Sequence, residues 1–223
     1  MRIGILGGTF NPIHLGHLIL AEEAREKLKL DRIIFVPTYL PPHKNNSDIA
    51  PTGHRYKMIK LAIKTNKYFS VSDVEIKRDG LSYTIDTIRE FKKVYPKDEL
   101  YFITGSDLLK YLADWKDLPE IIKMVKFIVA TRPGYRLEEI PDYISTVAIR
   151  AVDVSAFEIR MAIKENRSFR YLVPEAVFSY INNHHLYSRD GSQLKAEPSP
   201  NELQQGRFST QSRTVPERVE NHP

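Results

Sequence analysis

No cysteine occurs among the 223 residues, which excludes disulfides and thiolate metal sites. Its absence agrees with a reducing compartment, and a cytoplasmic location is the expectation. No apolar run approaches the roughly 20 residues that cross a bilayer. The opening segment is apolar with one arginine, but Asn11, Pro12, His14 and His17 interrupt it, and Glu22 and Glu23 follow. A signal peptide is therefore not expected. A continuous basic stripe interleaved with aromatics is missing too, since basic and acidic residues mix, as in Glu22, Glu23, Arg25, Glu26 and Lys27. The net charge of +5 suits a small anionic ligand, and neither nucleic acid nor membrane is an expected partner. Two phosphate-binding signatures are also lacking: the Lys-Ser/Thr that follows the glycines of a P-loop, and the GxGxxG of dinucleotide folds.

What is present is an ordinary globular composition, 42% hydrophobic and 27% charged, enough for a sizeable core. The length suits one compact α/β domain with or without a small subdomain. Short apolar runs alternate with amphipathic ones. Strands are expected at 2–7, 32–36, 70–77, 100–104, 126–131 and 146–152, and helices at 15–30, 54–66 and 84–94, with another opening at 106–112. This alternation implies a parallel sheet with helices on both faces, and nucleotides bind such sheets at the carboxyl ends of the strands. Two further helices are expected at 155–166 and 174–184, with Pro174 at a first helical turn. From about residue 188 the pattern dissolves into Ser, Gln, Pro, Glu and Arg with balanced charge, and 188–223 is expected to be a disordered tail.

The first strand ends in Gly7-Gly8-Thr9-Phe10-Asn11-Pro12-Ile13-His14-Leu15-Gly16-His17. Gly7 and Gly8 carry no Cβ, which allows a ligand close to the backbone. The helix start that follows offers N–H groups and a positive dipole end to a phosphate. His14 and His17 lie three apart, so they share a face with Cβ atoms roughly 5–6 Å from each other. Gly16 between them removes bulk where a base or ribose would lie. Two imidazoles facing a phosphate chain can donate to oxygens that gain charge in a transition state. Taken alone, the two histidines read more readily as a solvated helix start or part of a zinc site, and no other histidine has a persuasive ligand spacing with them; the whole string after a strand is what points to chemistry.

That string resembles the HxGH motif of the nucleotidyltransferase superfamily, and more narrowly the nicotinate-nucleotide adenylyltransferases, which commonly show GGTFDPIHxGHL; Asn11 stands here where Asp is usual. The resemblance spans roughly residues 1–187. Pro41-Pro42-His43-Lys44, Ser82-Tyr83-Thr84-Ile85-Asp86-Thr87, Gly105-Ser106-Asp107, Trp115, and Ala130-Thr131-Arg132-Pro133-Gly134-Tyr135 fit it. Ser155, Ile159 and Arg160 match the family's ISSTxIR, with Ala156 and Phe157 replacing the second Ser and the Thr.

The resemblance implies a Rossmann-like doubly wound parallel sheet with a small C-terminal helical subdomain at about 153–187, forming one nucleotidyltransferase domain over 1–187. It implies adenylyl transfer from ATP to nicotinate mononucleotide, releasing pyrophosphate and giving deamido-NAD. His14, His17, Arg160 and Thr9 are then the expected catalytic residues. Gly7, Gly8, Thr9, Phe10, Gly16, Gly105, Asp107, Ser155 and Ile159 are expected to bind ATP. Asn11, Lys44, Tyr83, Thr84, Trp115 and Arg132 are expected to bind the mononucleotide. Mg²⁺ would arrive with ATP, with no protein-only metal site. A homo-oligomer is compatible with this reading. The alternatives are transfer to nicotinamide mononucleotide or another phosphate acceptor, or a nucleotide sensor without catalysis, which Asn11, Ala156 and Phe157 alone would favour.

Overall fold

A computed structural model describes residues 1–41, 49–131, 140–150 and 152–189. β1 (Arg2–Gly8) leads into α1 (Leu15–Lys27), and β2 (Arg32–Pro37) into α2 (Thr52–Ile63). The short β3 (Phe69–Val71) precedes α3 (Val74–Arg78) and α4 (Thr84–Val94). β4 (Glu99–Gly105) runs into a 3₁₀ helix (Ser106–Asp114) and α5 (Leu118–Met124). β5 (Lys126–Thr131) and β6 (Ile144–Ala148) are followed by α6 (Ala156–Lys164) and α7 (Glu175–Asn183).

The strands form one six-stranded sheet in the order β3-β2-β1-β4-β5-β6, and every neighbouring pair is parallel. From β1 the chain winds outward through β2 and β3, then returns to β4 on the other side of β1. The doubly wound α/β expectation is met. At the β1/β4 switch the connections leave in opposite directions, which opens a crevice beyond the carboxyl ends of those two strands.

Strand residues alternate between two cores, as the period of two requires. Ile3, Ile5, Ile34, Val36, Phe102 and Val129 face α4 and α5. Leu6, Ile33, Phe35, Ile103 and Ala130 face the other side, where residues of α1, α2, α6 and α7 pack. The C-terminal helices therefore share the sheet's own core: Ile159, Val177, Ile181 and Tyr187 belong to the same cluster as β1 and β2. Tyr187 is fully buried, its hydroxyl has no hydrogen-bond partner among the described residues, and burial pushes its phenol up.

Several expected elements shift. The strand read over 70–77 is only Phe69–Val71, and Val74–Arg78 is helical. The apparent alternation misled because the residue that goes inside is charged: Glu75 is buried while Ile76 is only partly so. The strand read at 146–152 lies at Ile144–Ala148. The segment after β4 is 3₁₀ rather than α, and α5 went unread because its seven residues begin with Leu118-Pro119. The helix expected over 15–30 stops at Lys27 because Lys29 adopts φ 51°. Lys29 and Leu30 then donate to the Glu26 and Arg25 carbonyls, a Schellman closure. The tail from 190 lies outside the described residues.

Gly4 is a packing glycine. A Cβ there would stand 2.5 Å from Ile33 Cδ1 and 2.9 Å from both Ile103 and Leu30 Cδ1. Gly4→Ala is expected to cost about 1–3 kcal/mol of stability, read from denaturant unfolding. An unchanged midpoint would mean that the three side chains yield freely.

On the same side, Glu23 ties α1 to the end of β6. It accepts from the Arg150 guanidinium, the Arg150 N–H at 3.1 Å and Lys27 Nζ at 3.0 Å. The bonds from Arg150, then Lys27, hold its carboxyl down at about 2 against an ordinary 4.5. A depressed carboxyl contributes stability that is present above its unfolded pKa and is lost as pH falls through the folded one. The stability gap between wild type and Glu23→Gln should thus be full at neutral pH and shrink between pH 4.5 and about 2. A gap that stays constant across that window would show that the cluster does not act through ionisation.

Candidate active site

The crevice at the strand ends is a cleft of about 1220 Å³, above the range of about 300–1,000 Å³ for ordinary small-molecule pockets. It has room for two nucleotide-sized bodies. Its floor is the end of β1. A Cβ at Gly7 would meet the Phe102 ring at 3.4 Å, and one at Gly8 the Phe10 ring at 3.1 Å. Gly8 thus also makes room for the chain's own Phe10 ring, while the contact at Gly7 is an ordinary one; both glycines line the cleft, where a ligand can approach the backbone. Phe10 has φ +48°, a conformation rare for a bulky residue. Its buried ring packs on Phe35 at 5.8 Å and stands edge-on to His17 at 5.0 Å.

The two imidazoles are stacked, with centroids 3.7 Å apart and planes 32° from parallel, and both line the cleft. His14 is buried and His17 half-buried, and both contribute to the wall of the cleft. The His14 backbone N–H donates to His17 Nδ1 at 3.2 Å. Nδ1 is then an acceptor, so a neutral His17 carries its proton on Nε2. Gly16 lines the cleft, and a Cβ there would lie 3.0 Å from His14 Nδ1; the missing bulk also makes room for that ring.

The helix start is less open than its sequence suggests. Leu15 N–H donates to the Leu172 carbonyl and His17 N–H to the His14 carbonyl, both at 3.0 Å. Across the cleft, α6 presents its first turn. Ser155 accepts from Glu158 N–H at 3.1 Å and donates to the Glu158 carboxylate at 3.0 Å. Its hydroxyl caps the helix, and Ser155 itself lines the cleft. The N–H groups of Ala156 and Phe157, the first two of the helix, have no intrahelical acceptor to reach, and both residues line the cleft. Arg160 donates one Nη1 hydrogen to the Asn11 carbonyl at 2.8 Å, which fixes the guanidinium beside the glycine turn.

The other half of the cleft carries Tyr83 and Thr84 at the start of α4, with Trp115 after the 3₁₀ helix. Trp115 stands edge-on to Phe102 at 5.6 Å and to Phe127 at 5.7 Å, so packing fixes its plane. Lys116 Nζ lies 4.7 Å above the Tyr83 ring. Gly105 lines the cleft between the halves.

Not every expected residue arrives. Ile159 is fully buried in the core and its N–H donates to Ser155 O, so the structure does not bring it to the cleft. At the fourth position of α6 its side chain turns to the sheet. Lys44 and Arg132 lie outside the described residues, and so does the side chain of Asp107. Asn11 does line the cleft, and its Oδ1 accepts from Ala50 N–H at 3.0 Å, a bond that needs a carbonyl oxygen and no charge.

Two residues were missed, Glu75 in the lining of the cleft and Arg55 outside it. Glu75 lines the cleft and accepts from Thr87 Oγ1 at 2.6 Å. Burial pushes its carboxyl up, against the hydroxyls of Ser82 and Thr87 and the charge of Arg78. Reading its segment as a strand hid it. Arg55 is 1% exposed. Its Nε donates to Ala50 O at 2.8 Å, Nη1 to Thr9 O at 2.8 Å and Thr38 O at 2.7 Å, and Nη2 to Tyr39 O at 3.1 Å and Thr52 Oγ1 at 3.0 Å. Its signal was present, since Arg55 shares the α2 face of Met58 and Ile59, where a charge needs a reason.

A family model described as cytidylyltransferase-like matches residues 5–162. A protein of Desulfitobacterium hafniense named "Probable nicotinate-nucleotide adenylyltransferase" is 43% identical over 197 residues, covering 83% of this chain and 95% of its own. A Thermus thermophilus protein of the same name is 46% identical over 187 residues, covering 84% of this chain and 100% of its own. Among solved structures, the nicotinic acid mononucleotide adenylyltransferase of Plasmodium falciparum complexed with NaAD superposes with a TM-score of 0.71 at 20% identity, over 83% of this chain and 97% of that one. The same protein complexed with APC gives 0.69 at 20% identity, over 83% and 96%. At that identity both speak to the fold alone.

The Asn11 bond can be checked by stability. Asn11→Asp retains an acceptor for the Ala50 N–H and should unfold within about 1 kcal/mol of wild type. Asn11→Leu strands that N–H and should cost about 1–3 kcal/mol. Equal losses in thermal unfolding would show that the side-chain oxygen does not hold the loop.

Proposed function

The chain belongs to the nicotinate-nucleotide adenylyltransferase family, within the cytidylyltransferase-like nucleotidyltransferases, and we infer that it transfers the adenylyl group of ATP to nicotinate mononucleotide. The products are deamido-NAD and pyrophosphate, a step of NAD biosynthesis. The observation that supports this reading most is the convergence of stacked His14 and His17, Arg160 and the first turn of α6 on one half of a cleft. The other half presents Tyr83, Thr84 and Trp115.

A phosphate oxygen of the mononucleotide attacks the α-phosphorus of ATP in line. A new P–O bond forms there, the bond from the α-phosphorus to the bridging oxygen breaks, and pyrophosphate leaves with that electron pair. The nucleophile is already anionic, so no strong general base is required, and catalysis is positioning with charge stabilisation. His17 Nε2–H, His14 and the free guanidinium hydrogens of Arg160 face the ATP phosphates, with the Ala156 and Phe157 N–H groups as main-chain donors. Thr9 orients the phosphates that react. The edge-packed Trp115 offers a flat face to the pyridine ring, with Tyr83 and Thr84 beside it. Lys44 and Arg132 extend the acceptor site, and Asp107 meets ribose hydroxyls, as the family resemblance implies. Gly7, Gly8, Phe10 and Gly16 shape the ATP half and Asn11 the junction. Mg²⁺ enters as part of the substrate, held by phosphate oxygens and water. Among the described residues no group of three or more His, Asp or Glu side chains could hold it alone. The reaction takes place in the cytoplasm; no helix among the described residues is long and apolar enough to cross a membrane.

Pyrophosphate release from MgATP, measured with nicotinate mononucleotide and with nicotinamide mononucleotide, tests this directly. The acid should turn over with the higher kcat/KM. ATP binding without release from either would leave a sensor instead. His17→Ala should lower kcat by about 100- to 1,000-fold while folding as wild type; unchanged turnover would remove the phosphate role from that imidazole.

A further inference from the structure

Arg55 touches neither half of the cleft as a lining residue, yet five of its bonds join the segments that carry both. Nη1 holds Thr9 O, on the ATP side, and Thr38 O, at the end of β2. Nη2 holds Tyr39 O. From there a hydrogen-bonded ladder runs to the acceptor side: Tyr39 N–H donates to Ser82 Oγ at 2.9 Å, and Ser82 N–H to Leu40 O at 2.9 Å. Leu40 and Leu81 form a parallel bridge. Ser82 immediately precedes Tyr83 and Thr84. A second tie, Thr38 N–H to Gly8 O at 2.9 Å, keeps β2's end against the glycine turn.

We propose that Arg55 is a positioning residue that sets the distance between the two substrate half-sites, through the continuous path Thr9–Arg55–Tyr39–Ser82. This rests on the adenylyl-transfer reading. The argument is geometric. In-line attack requires the two phosphates in register, whereas each substrate needs only its own half-site to bind. A planar, always-charged fork can hold five oxygens from separate segments in fixed directions; an ammonium on a flexible stem cannot. Loss of the fork should therefore damage alignment and spare affinity. A residue needed only for stability would instead lower the folded fraction and leave each remaining molecule as active as before.

The test compares Arg55→Lys, Ser82→Ala and the double variant with wild type. Pyrophosphate release gives kcat, calorimetry gives the affinity for ATP alone and for nicotinate mononucleotide alone, and thermal unfolding gives the folded fraction. Arg55→Lys is expected to lose about 100-fold in kcat, the scale of a small misplacement of reacting groups, with each affinity within about threefold of wild type. Ser82→Ala should lose less, in the same pattern. Because both act on one path, the double variant should resemble Arg55→Lys rather than show the product of the two losses. Multiplicative losses, or losses that track affinity or folded fraction, would overturn the proposal. Should Arg55→Lys not fold, Thr52→Val, which removes one of the five acceptors, takes its place under the same criteria. Failure of wild-type turnover would strike the functional reading; wild-type turnover with multiplicative losses would strike the path alone.

Discussion

A single buried guanidinium holds the loops at the carboxyl edge of the sheet. Four main-chain carbonyls and one hydroxyl take hydrogens of Arg55. A buried charge costs several kcal/mol unless it is fully hydrogen-bonded, and Arg55 meets that condition. The carbonyls gain as well. Thr9, Thr38 and Tyr39 lie just past the ends of β1 and β2, where the ladder stops and no neighbouring strand supplies donors. Buried and unpaired, each would carry its own desolvation penalty. The charge and the orphan carbonyls thus solve each other's problem, and the loops that form the cleft become an extension of the sheet. Arg160 repeats the device from α6 with the Asn11 carbonyl.

This arrangement changes where the positive field of the site comes from. A helix start after a glycine turn suggests a phosphate held by main-chain N–H groups of α1. Yet two of those donors are already bonded, to Leu172 and to His14. The donors left toward the cleft come from several elements: imidazoles on α1, the first turn of α6, and the rest of the Arg160 fork. The stacking of His14 over Gly16 and against His17 gives the two rings one fixed orientation before any ligand binds. Preorganised donors require little rearrangement in the transition state, which is the condition under which such groups accelerate phosphoryl chemistry.

The sheet was legible from sequence because buried parallel strands read as near-continuous apolar runs, and α4 was legible through its strong one-sided pattern. Where the reading failed, a polar residue had gone inside. Glu75 turned an apparent strand into a short helix, since its carboxyl is bonded to Thr87 across α3 and α4. The cleft's histidines, Arg160, Tyr83, Thr84 and Trp115 were found because they belong to local strings. Arg55 and Glu75 were not named as site residues because their partners are distant in sequence, up to 46 positions away for Arg55 and Thr9. Two of the glycines have a second use: at Gly8 and Gly16 the space also serves Phe10 and His14, which no one-dimensional pattern reveals. Ile159 was assigned to ATP by its place in a motif, and helical phase sends it to the core instead.

The same geometry explains why the three departures from the family's strings leave the cleft intact. Asn11 supplies a carbonyl oxygen to Ala50 N–H, a task an aspartate oxygen would perform no better. Ala156 and Phe157 remove hydroxyls, but the donors that α6 offers in its first turn are N–H groups, which every residue but proline carries. The one hydroxyl that remains there, on Ser155, already bonds Glu158 as a cap. A site built on main-chain groups and arginine forks tolerates side-chain change at the positions between them. It tolerates an ionised carboxylate facing two polyanions far less. Among the described lining residues the carboxylates are Asp114, exposed, and Glu75, which burial pushes toward its neutral form. At Glu75 this exclusion of charge requires nothing beyond burial.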